Sequence, residues 1–269
     1  MKLKSSYPAV VISLFAILMF CTACPRRPER QHPASNLGPP IMLPKGVTNA
    51  QSDSAAATES AVLVSVAVDG IYYVGAEPYP FDQVGEKVSP QLSGQKDSDK
   101  IVFFAGSYNL DYGVVVKLID ALRKVGVVNI GLLVDQAGSK GRNSFRVQIP
   151  AEPNPNDDLS KLKPNPLTLV ASMSKDLKLR LNQDPMGEAS DPTTLTQKLA
   201  GIFQQRKAVH AYQPGMETRT DVPEDERLEK TVVIKAPRSI RYVDVIHLID
   251  AVKGAGANPI VLQVDDLSD

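Results

Sequence analysis

Residues with reactive side chains are few in this sequence, and the most conspicuous of them are two cysteines spaced as Cys21-x-x-Cys24. A CxxC pair is typical of redox sites and of one half of a zinc site. Here the pair ends an apolar run, and no second Cys or His pair accompanies it. We therefore predict no metal site, no cofactor and no redox function.

The three histidines, His32, His210 and His247, add little to this inventory. Only His247 has carboxylates at helical spacing, Asp244 and Asp250, and a local charge pair explains these better than a metal site. The sequence has no G-x-S-x-G, no Walker A and no H-E-x-x-H motif. We predict no catalytic residues and a protein that is not an enzyme.

Charge and composition exclude further classes of function. The chain of 269 residues carries 30 Lys+Arg and 30 Asp+Glu, so its formal net charge is zero. A neutral protein lacks the electrostatic basis for nucleic acid as its main partner. Two cysteines cannot build a disulfide framework, whereas 43% hydrophobic residues suffice for a real core.

The N-terminus has the pattern of an export signal or a membrane anchor. Lys2 and Lys4 precede an apolar run over residues 9–23, and Arg26 and Arg27 follow it. The 18 residues from Tyr7 to Cys24 are at the short edge of a membrane span, and the run also fits a secretory signal. A small residue before Cys24 is typical of a lipoprotein processing site. Lipidation of Cys24, an uncleaved single span and a cleaved signal all stay open.

Proline marks two stretches without helical or strand periodicity. Residues 25–60 form a Pro/Ser-rich stretch, which we interpret as a disordered tether, and residues 151–166 form a second Pro-rich linker. These stretches divide the chain into an N-terminal segment 1–24, a first domain 61–150 and a second domain 167–269. The second domain carries an insertion, residues 207–229, that reads as a mobile loop.

The two domains repeat one sequence pattern. Residues 101–135 align without gaps with residues 231–265, and twelve of these 35 positions are identical. Identity at so many positions indicates an internal duplication. The motif Leu-Ile-Asp-Ala occurs in both copies and places Asp120 and Asp250 at the same position.

Each copy predicts the order β-β-α-β-α-β. In the first copy, strands are expected over 61–68 and 71–74 around an Asp69-Gly70 turn, then a helix through Val84, Val88 and Leu92. A buried strand over 100–105, a helix capped by Asn109 and ending near Gly126, and a strand over 130–134 complete it. Residues 142–149 alternate apolar side chains and are expected to add an edge strand.

The second copy repeats this order. Strands are expected near 167–173 and 177–181, a helix over 192–206, a strand over 231–236, a helix capped by Ser239 and a strand over 259–264. The predicted fold class is α+β: two tandem small domains, each a mixed sheet with two helices on one face, behind an N-terminal apolar anchor or signal.

Four recurring residues are the candidate partner contacts. Asp120 and Asp250 lie on the repeated helix, and either recognition of a partner or simple solvation would explain them. Tyr112 and Tyr242 stand one turn before the apolar stripe of the same helix. Packing over the helix start and contact with a partner are the two explanations of these tyrosines.

The strand, Asp69-Gly70 turn, strand and helix of the first copy, followed by Tyr112-Gly113-Val114-Val115 and Leu118-Ile119-Asp120-Ala121, resemble the periplasmic domain of the ExbD/TolR family. The second copy keeps Tyr242, Leu248-Ile249-Asp250-Ala251 and Gly256 but has Lys175-Asp176 where the turn would be. The resemblance covers most of residues 61–135 and 167–265.

The resemblance implies an envelope protein whose globular part is periplasmic and whose N-terminus is anchored in a membrane. It implies a role in biopolymer transport or envelope energy transduction, and envelope proteins as partners, among them a multi-span proton-channel protein. Peptidoglycan and a second copy of the chain are further expected partners. Family members carry an aspartate in the membrane helix, whereas here no Asp or Glu precedes Glu29. A free-standing periplasmic lipoprotein that has lost proton coupling is therefore the alternative.

Overall fold

The protein was analysed as a computed structural model, which describes residues 40–58, 60–96, 100–150, 165–265 and 267. Cys21, Cys24 and the apolar run lie outside the described residues, as does the linker from 151 to 164. Among the described residues, no helix is long and apolar enough to cross a membrane.

The first half of the chain is a succession of strands and helices that largely follows the sequence prediction. The strands are β1 (Gln51–Ser52), β2 (Val62–Val66), β3 (Tyr72–Val74), β4 (Glu77–Tyr79), β5 (Ile101–Gly106), β6 (Asn129–Val134) and β7 (Asn143–Gln148). The helices are α1 (Phe81–Val88) and α2 (Tyr112–Lys124).

The second half repeats the same succession from β2 onward. Its strands are β8 (Leu169–Met173), β9 (Lys178–Leu181), β10 (Asp184–Glu188), β11 (Val232–Lys235) and β12 (Ile260–Leu262). Its helices are α3 (Thr193–Ala208), the short α4 (Glu224–Arg227) and α5 (Tyr242–Gly254). The helices α2 and α5 occupy the same positions in the two aligned segments.

All of these strands join one mixed sheet. Its order is β10-β9-β8-β11-β12-β7-β6-β5-β2-β3-β4, with β1 paired to β7. Strands β2, β5 and β6 are mutually parallel, as are β8, β11 and β12. The predicted α+β class is confirmed, but the prediction of a separate mixed sheet for each domain is wrong, because the described strands of both halves share a single sheet.

The strand β7 connects the two halves of the sheet. It pairs antiparallel with β6 and parallel with β12 through Gln148 and Val261. The prediction that residues 142–149 add a strand to the first copy is confirmed, but β7 is not an edge strand, because it has neighbours on both long sides. Strand order and direction reverse around β7, as a two-fold axis perpendicular to the sheet would require.

Three further predictions differ from the structure. Strands β4 and β10 were not expected, because each contains a proline, Pro78 or Pro185. Both strands lie at the outer edges of the sheet, where a missing N–H is tolerated. The inserted segment 207–229 contains α4, and its two ends pair through Tyr212 and Leu228.

The prediction of a disordered tether is wrong for residues 42–58, which we call the strap. Part of the strap covers the helix-free face of the first half, where Leu43, Ala55 and Ala56 pack with Leu63 and Phe103, whereas Val47 belongs to the main core. The main core lies on the opposite face and includes buried side chains of α1, α2, α3 and α5. The helices of both halves therefore lie on one face of the sheet.

Divergence between the halves is clearest beneath the strap. Phe103 pairs with Gly131 across β5 and β6, whereas the equivalent pair in the second half is Val233 and Val261. A Cβ atom on Gly131 would lie 2.5 Å from the Phe103 ring. The large ring is thus accommodated only because the opposing residue is glycine.

We expect Gly131→Val to lower the free energy of unfolding by about 1–3 kcal/mol, because the new side chain overpacks against Phe103. The double variant Phe103→Val/Gly131→Val installs the pair of the second half. Its cost should be smaller than the sum of the single costs by about 1 kcal/mol, measured by denaturant unfolding. Strictly additive costs would contradict a direct steric conflict between these residues.

Candidate functional site at the junction of the two halves

The helices α2 and α5 begin without the side-chain caps expected from the sequence. Neither Asn109 nor Ser239 caps a helix, and the N-cap residues Asp111 and Arg241 make no side-chain capping hydrogen bond. A helix start leaves several backbone N–H groups without intrahelical partners. Other groups must therefore accept hydrogen bonds from these amides.

The acceptors come from the opposite half of the chain. The Tyr112 amide donates to the carbonyl oxygen of Ile240 at 2.8 Å, and the Tyr242 amide donates to the carbonyl oxygen of Leu110 at 2.7 Å. These two bonds are equivalent under the alignment of the repeat. Each half thus supplies the first helix cap of the other.

A second reciprocal pair follows in the next residues. The Gly113 amide donates to Arg238 O at 2.8 Å, and its counterpart, the Val243 amide, donates to Tyr108 O at 3.4 Å. A Cβ atom on Gly113 would lie 3.1 Å from the Arg238 Cβ. The glycine therefore permits the closer approach. The four bonds form an isologous contact of the kind found in two-fold dimers, here within one chain.

Tyr112 and Tyr242 lie at the centre of this junction. Both are fully buried, and neither hydroxyl has a hydrogen-bond partner among the described residues. Burial raises the pKa of each phenol far above its ordinary value. The Tyr242 ring meets Phe104 edge-on at 5.6 Å, with Gly106 leaving room for both rings. The structure places these residues in the core of the junction, away from solvent.

Asp120 belongs to a charge network that crosses the junction. Its carboxylate accepts from Arg123 at 2.7 Å and pairs with Lys124 at 3.0 Å. Burial raises the pKa of Asp120, but the hydrogen bonds and charges of Lys124 and Arg123 outweigh this effect and hold that pKa below its ordinary value. Asp120 therefore remains ionised and points to cations of its own helix.

Arg123 carries this network into the second half. Its guanidinium makes two hydrogen bonds with Asp265, at 2.6 and 3.0 Å, and its side chain is only 7% exposed. The bond to Asp265 is the main cause that raises the pKa of Arg123. In the sequence, turn chemistry is a sufficient explanation of an aspartate such as Asp265 that follows a strand, and no motif singles out Arg123. A lone arginine on the polar side of a helix gives no signal of a partner 142 residues away.

Asp250 occupies the equivalent helix position but binds the strap. It accepts hydrogen bonds from the amides of Thr48 at 3.0 Å and Asn49 at 2.7 Å, and also from both side chains. One turn earlier, His247 Nε2 lies 2.8 Å from the carbonyl oxygen of Lys45. The two repeated aspartates thus have different intramolecular partners, with Asp120 bound to cations and Asp250 to backbone.

The strap is held at its other end by an ion pair whose carboxylate is buried. Asp53 is 6% exposed and accepts two hydrogen bonds from Arg146 of β7, at 2.8 and 2.9 Å. The Ser144 hydroxyl donates to the same carboxylate at 2.9 Å. The Arg146 hydrogen bond lowers the pKa of Asp53 more strongly than burial raises it. The strap is therefore anchored on the strand that joins the two halves.

The remaining predicted site residues separate from one another. Asp244 pairs with Arg241 at 3.0 Å, so the local pair expected between His247 and Asp244 or Asp250 does not form. Across the residues that the structure describes, no group of three His, Cys, Asp or Glu side chains could hold a metal ion. Cys24 lies outside those residues.

Comparison with known proteins gives one consistent result. A family model described as "Biopolymer transport protein ExbD/TolR" matches residues 6–137. The chain is similar to the Biopolymer transport protein ExbD of Escherichia coli K12 and to that of Shigella flexneri, with 22% identity over 129 residues in each case. These alignments cover 48% of this chain and 82% of each relative.

The unpartnered hydroxyls at the junction lead to a prediction. Tyr112→Phe and Tyr242→Phe should each leave the free energy of unfolding unchanged or raise it by about 1 kcal/mol, because a buried hydroxyl without a hydrogen bond is destabilising. Tyr212→Phe is the matched control, since the Tyr212 hydroxyl donates a hydrogen bond to Glu224 at 3.2 Å. Removing that hydroxyl should lower the free energy of unfolding. A loss above about 1 kcal/mol in either junction variant would show that its hydroxyl is hydrogen-bonded.

The buried Asp53 makes stability depend on pH. Because its pKa is lowered on folding, its contribution is present above the ordinary carboxyl pKa and is lost as the pH falls through the lowered value. Asp53→Asn should cost about 1–3 kcal/mol at neutral pH, and its difference from wild type should shrink below about pH 4. Chemical unfolding at several pH values measures this, with the exposed Asp184→Asn as control. A difference independent of pH would contradict the assignment.

Proposed function

From the ExbD/TolR family domain that the chain carries at residues 6–137, we propose that this protein is a membrane-anchored envelope component that takes part in biopolymer transport or envelope energy transduction. It acts through protein contacts of a periplasmic globular part and has no enzymatic activity of its own. The observation that carries the proposal is the span of the family match, which begins before the apolar run and continues through the first half.

We further propose that the globular part arose by duplication of the family domain. The family match ends at residue 137, so the second half is related to it through the internal repeat. Three observations support this origin: the common succession of elements, the equivalent positions of α2 and α5, and the reciprocal hydrogen bonds at their first residues. One chain would then supply both members of a two-fold unit.

The anchor limits the mechanism that this chain can perform. Proton relays within membranes depend on buried ionisable groups, and no Asp or Glu precedes Glu29. The chain therefore does not carry a proton on a carboxylate of its own apolar segment. A multi-span channel partner would supply that group, while this chain transmits the result to the periplasm.

The state of the N-terminus tests the anchored role against the lipoprotein alternative. Cells expressing the full chain are labelled with a radioactive fatty acid, and the mass of the N-terminal peptide of the mature protein is determined. Proteins that co-purify with the chain after cross-linking are then identified. We expect an intact segment 1–27, no label, and co-purification of a multi-span channel protein.

Single cysteine variants make this test specific. An acylated chain that begins at Cys24 would overturn the proposal that the uncleaved apolar segment is the anchor, and would establish the lipoprotein alternative. In that case the label is lost in Cys24→Ser and retained in Cys21→Ser. An unlabelled chain in the membrane fraction that cross-links to no channel protein would also contradict the proposal.

A further inference from the structure

An open groove lined by aromatic and proline residues lies at one end of the first half. We call it the aromatic groove, and it has a volume of about 460 Å³. Its polar neighbours are the Asp69-Gly70 turn and Glu77. It is lined by Gly70, Ile71, Tyr72, Pro78, Tyr79, Pro80 and Phe81.

The groove coincides with exposed apolar surface. Only six large hydrophobic residues are exposed among those that the structure describes. Three of them belong to this region: Val68 at 63%, Ile71 at 42% and Phe81 at 39% exposed. Surface apolar residues that cluster in this way mark sites of interaction more often than scattered ones do.

The rings are held in place by the local fold. The Gly70 φ of +78° allows the tight turn into β3, and Tyr72 then pairs with Tyr79 across β3 and β4. Phe81 begins α1, and its ring lies 5.2 Å from that of Tyr72. Strands and a helix therefore preorganise the groove.

The same geometry disfavours a partner that binds by adding a strand. β4 is the outer strand at this end of the sheet, and its central residue, Pro78, has no N–H to donate. Pro80 follows one residue after the strand ends. A partner at this site is therefore recognised mainly by the rings and their neighbours, without a continued sheet.

The charged residues around the groove favour a positively charged ligand. Asp69, Glu77 and Asp82 are exposed and adjacent in sequence to residues that line it. One cation offsets them in part, because the ammonium group of Lys87 lies 5.4 Å from the centre of the Tyr79 ring. The three carboxylates outnumber this ammonium group. An arginine or lysine side chain is the natural complement of this rim.

The equivalent segment of the second half lacks the aromatic residues of the groove although it has the same succession of elements. Residues 174–193, which span the turn before β9, β10 and the start of α3, contain no Phe, Tyr or Trp. The aromatic residues are therefore not required by the repeated architecture.

We propose that the aromatic groove binds an extended, proline-containing segment of a partner protein that also carries arginine or lysine. Proline-rich segments adopt a polyproline II helix with little loss of entropy and dock into grooves lined by aromatic rings. In this site the rings pack against prolines, and the acidic rim pairs with the cations. The inference goes beyond the proposed function and does not depend on the anchor or on a channel partner.

The test uses the full chain in detergent micelles and a fluorescein-labelled octapeptide of six prolines and two arginines. Fluorescence anisotropy should show saturable binding. Tyr72→Ala and Phe81→Ala should each weaken it at least about tenfold, because each removes one wall of the groove. Tyr72→Phe should bind as wild type does, and the equally apolar but distant Val209→Ala is the matched control, at a residue that is 73% exposed.

Two further peptides separate the elements of the proposal. Replacing the prolines by alanine, or the arginines by glutamate, should each reduce affinity at least about tenfold. Asp69→Asn/Asp82→Asn should reduce the preference for arginine over glutamate. Equal binding of the alanine peptide, equal binding of the glutamate peptide, or unchanged affinity in a folded Tyr72→Ala variant would each overturn the inference.

Discussion

The amide groups at the starts of α2 and α5 are the constraint on which this structure depends. Backbone N–H groups at a buried helix start need acceptors, and here the acceptors are carbonyl groups of the opposite half. Each such bond contributes only about 0.5–1.5 kcal/mol net, but leaving it unmade in a buried site costs more. The halves are therefore committed to one relative arrangement. Arg123 with Asp265, and β7 between β6 and β12, fix the same arrangement from other sides.

This constraint explains which parts of the fold could be predicted from the sequence. The strands β2, β5 and β6 and the helices α2 and α5 follow from local periodicity, and the structure has them within a few residues of the expected bounds. The expected caps at Asn109 and Ser239 were wrong because the real acceptors lie about 130 residues away. A local sequence rule cannot identify an acceptor that the tertiary fold supplies.

The placement of β7 and of the strap failed for a related reason. Phe145 and Val147 alternate with polar residues as in any strand with one buried face, so the strand itself was predictable. Its neighbours depend on long-range pairing. The strap has a composition typical of disorder, yet Asp53, Thr48 and Asn49 each find a partner in the folded part. Composition describes a segment alone and carries no information about a surface built to bind it.

Comparison of the two copies separates what the architecture requires from what each half has acquired. Tyr112 and Tyr242, which are identical in the two halves, are fully buried at the junction, where a change in one half disturbs the other. Other positions differ where only one half has something to bind, at Phe103 beneath the strap and in the aromatic groove. Asp250 keeps the residue type of Asp120 but binds a different partner, the backbone of the strap. In a symmetric dimer of identical chains, every surface would appear twice. Within one chain the two halves can share the junction and still differ in surface, and the exposed rings of the first half are the clearest such difference.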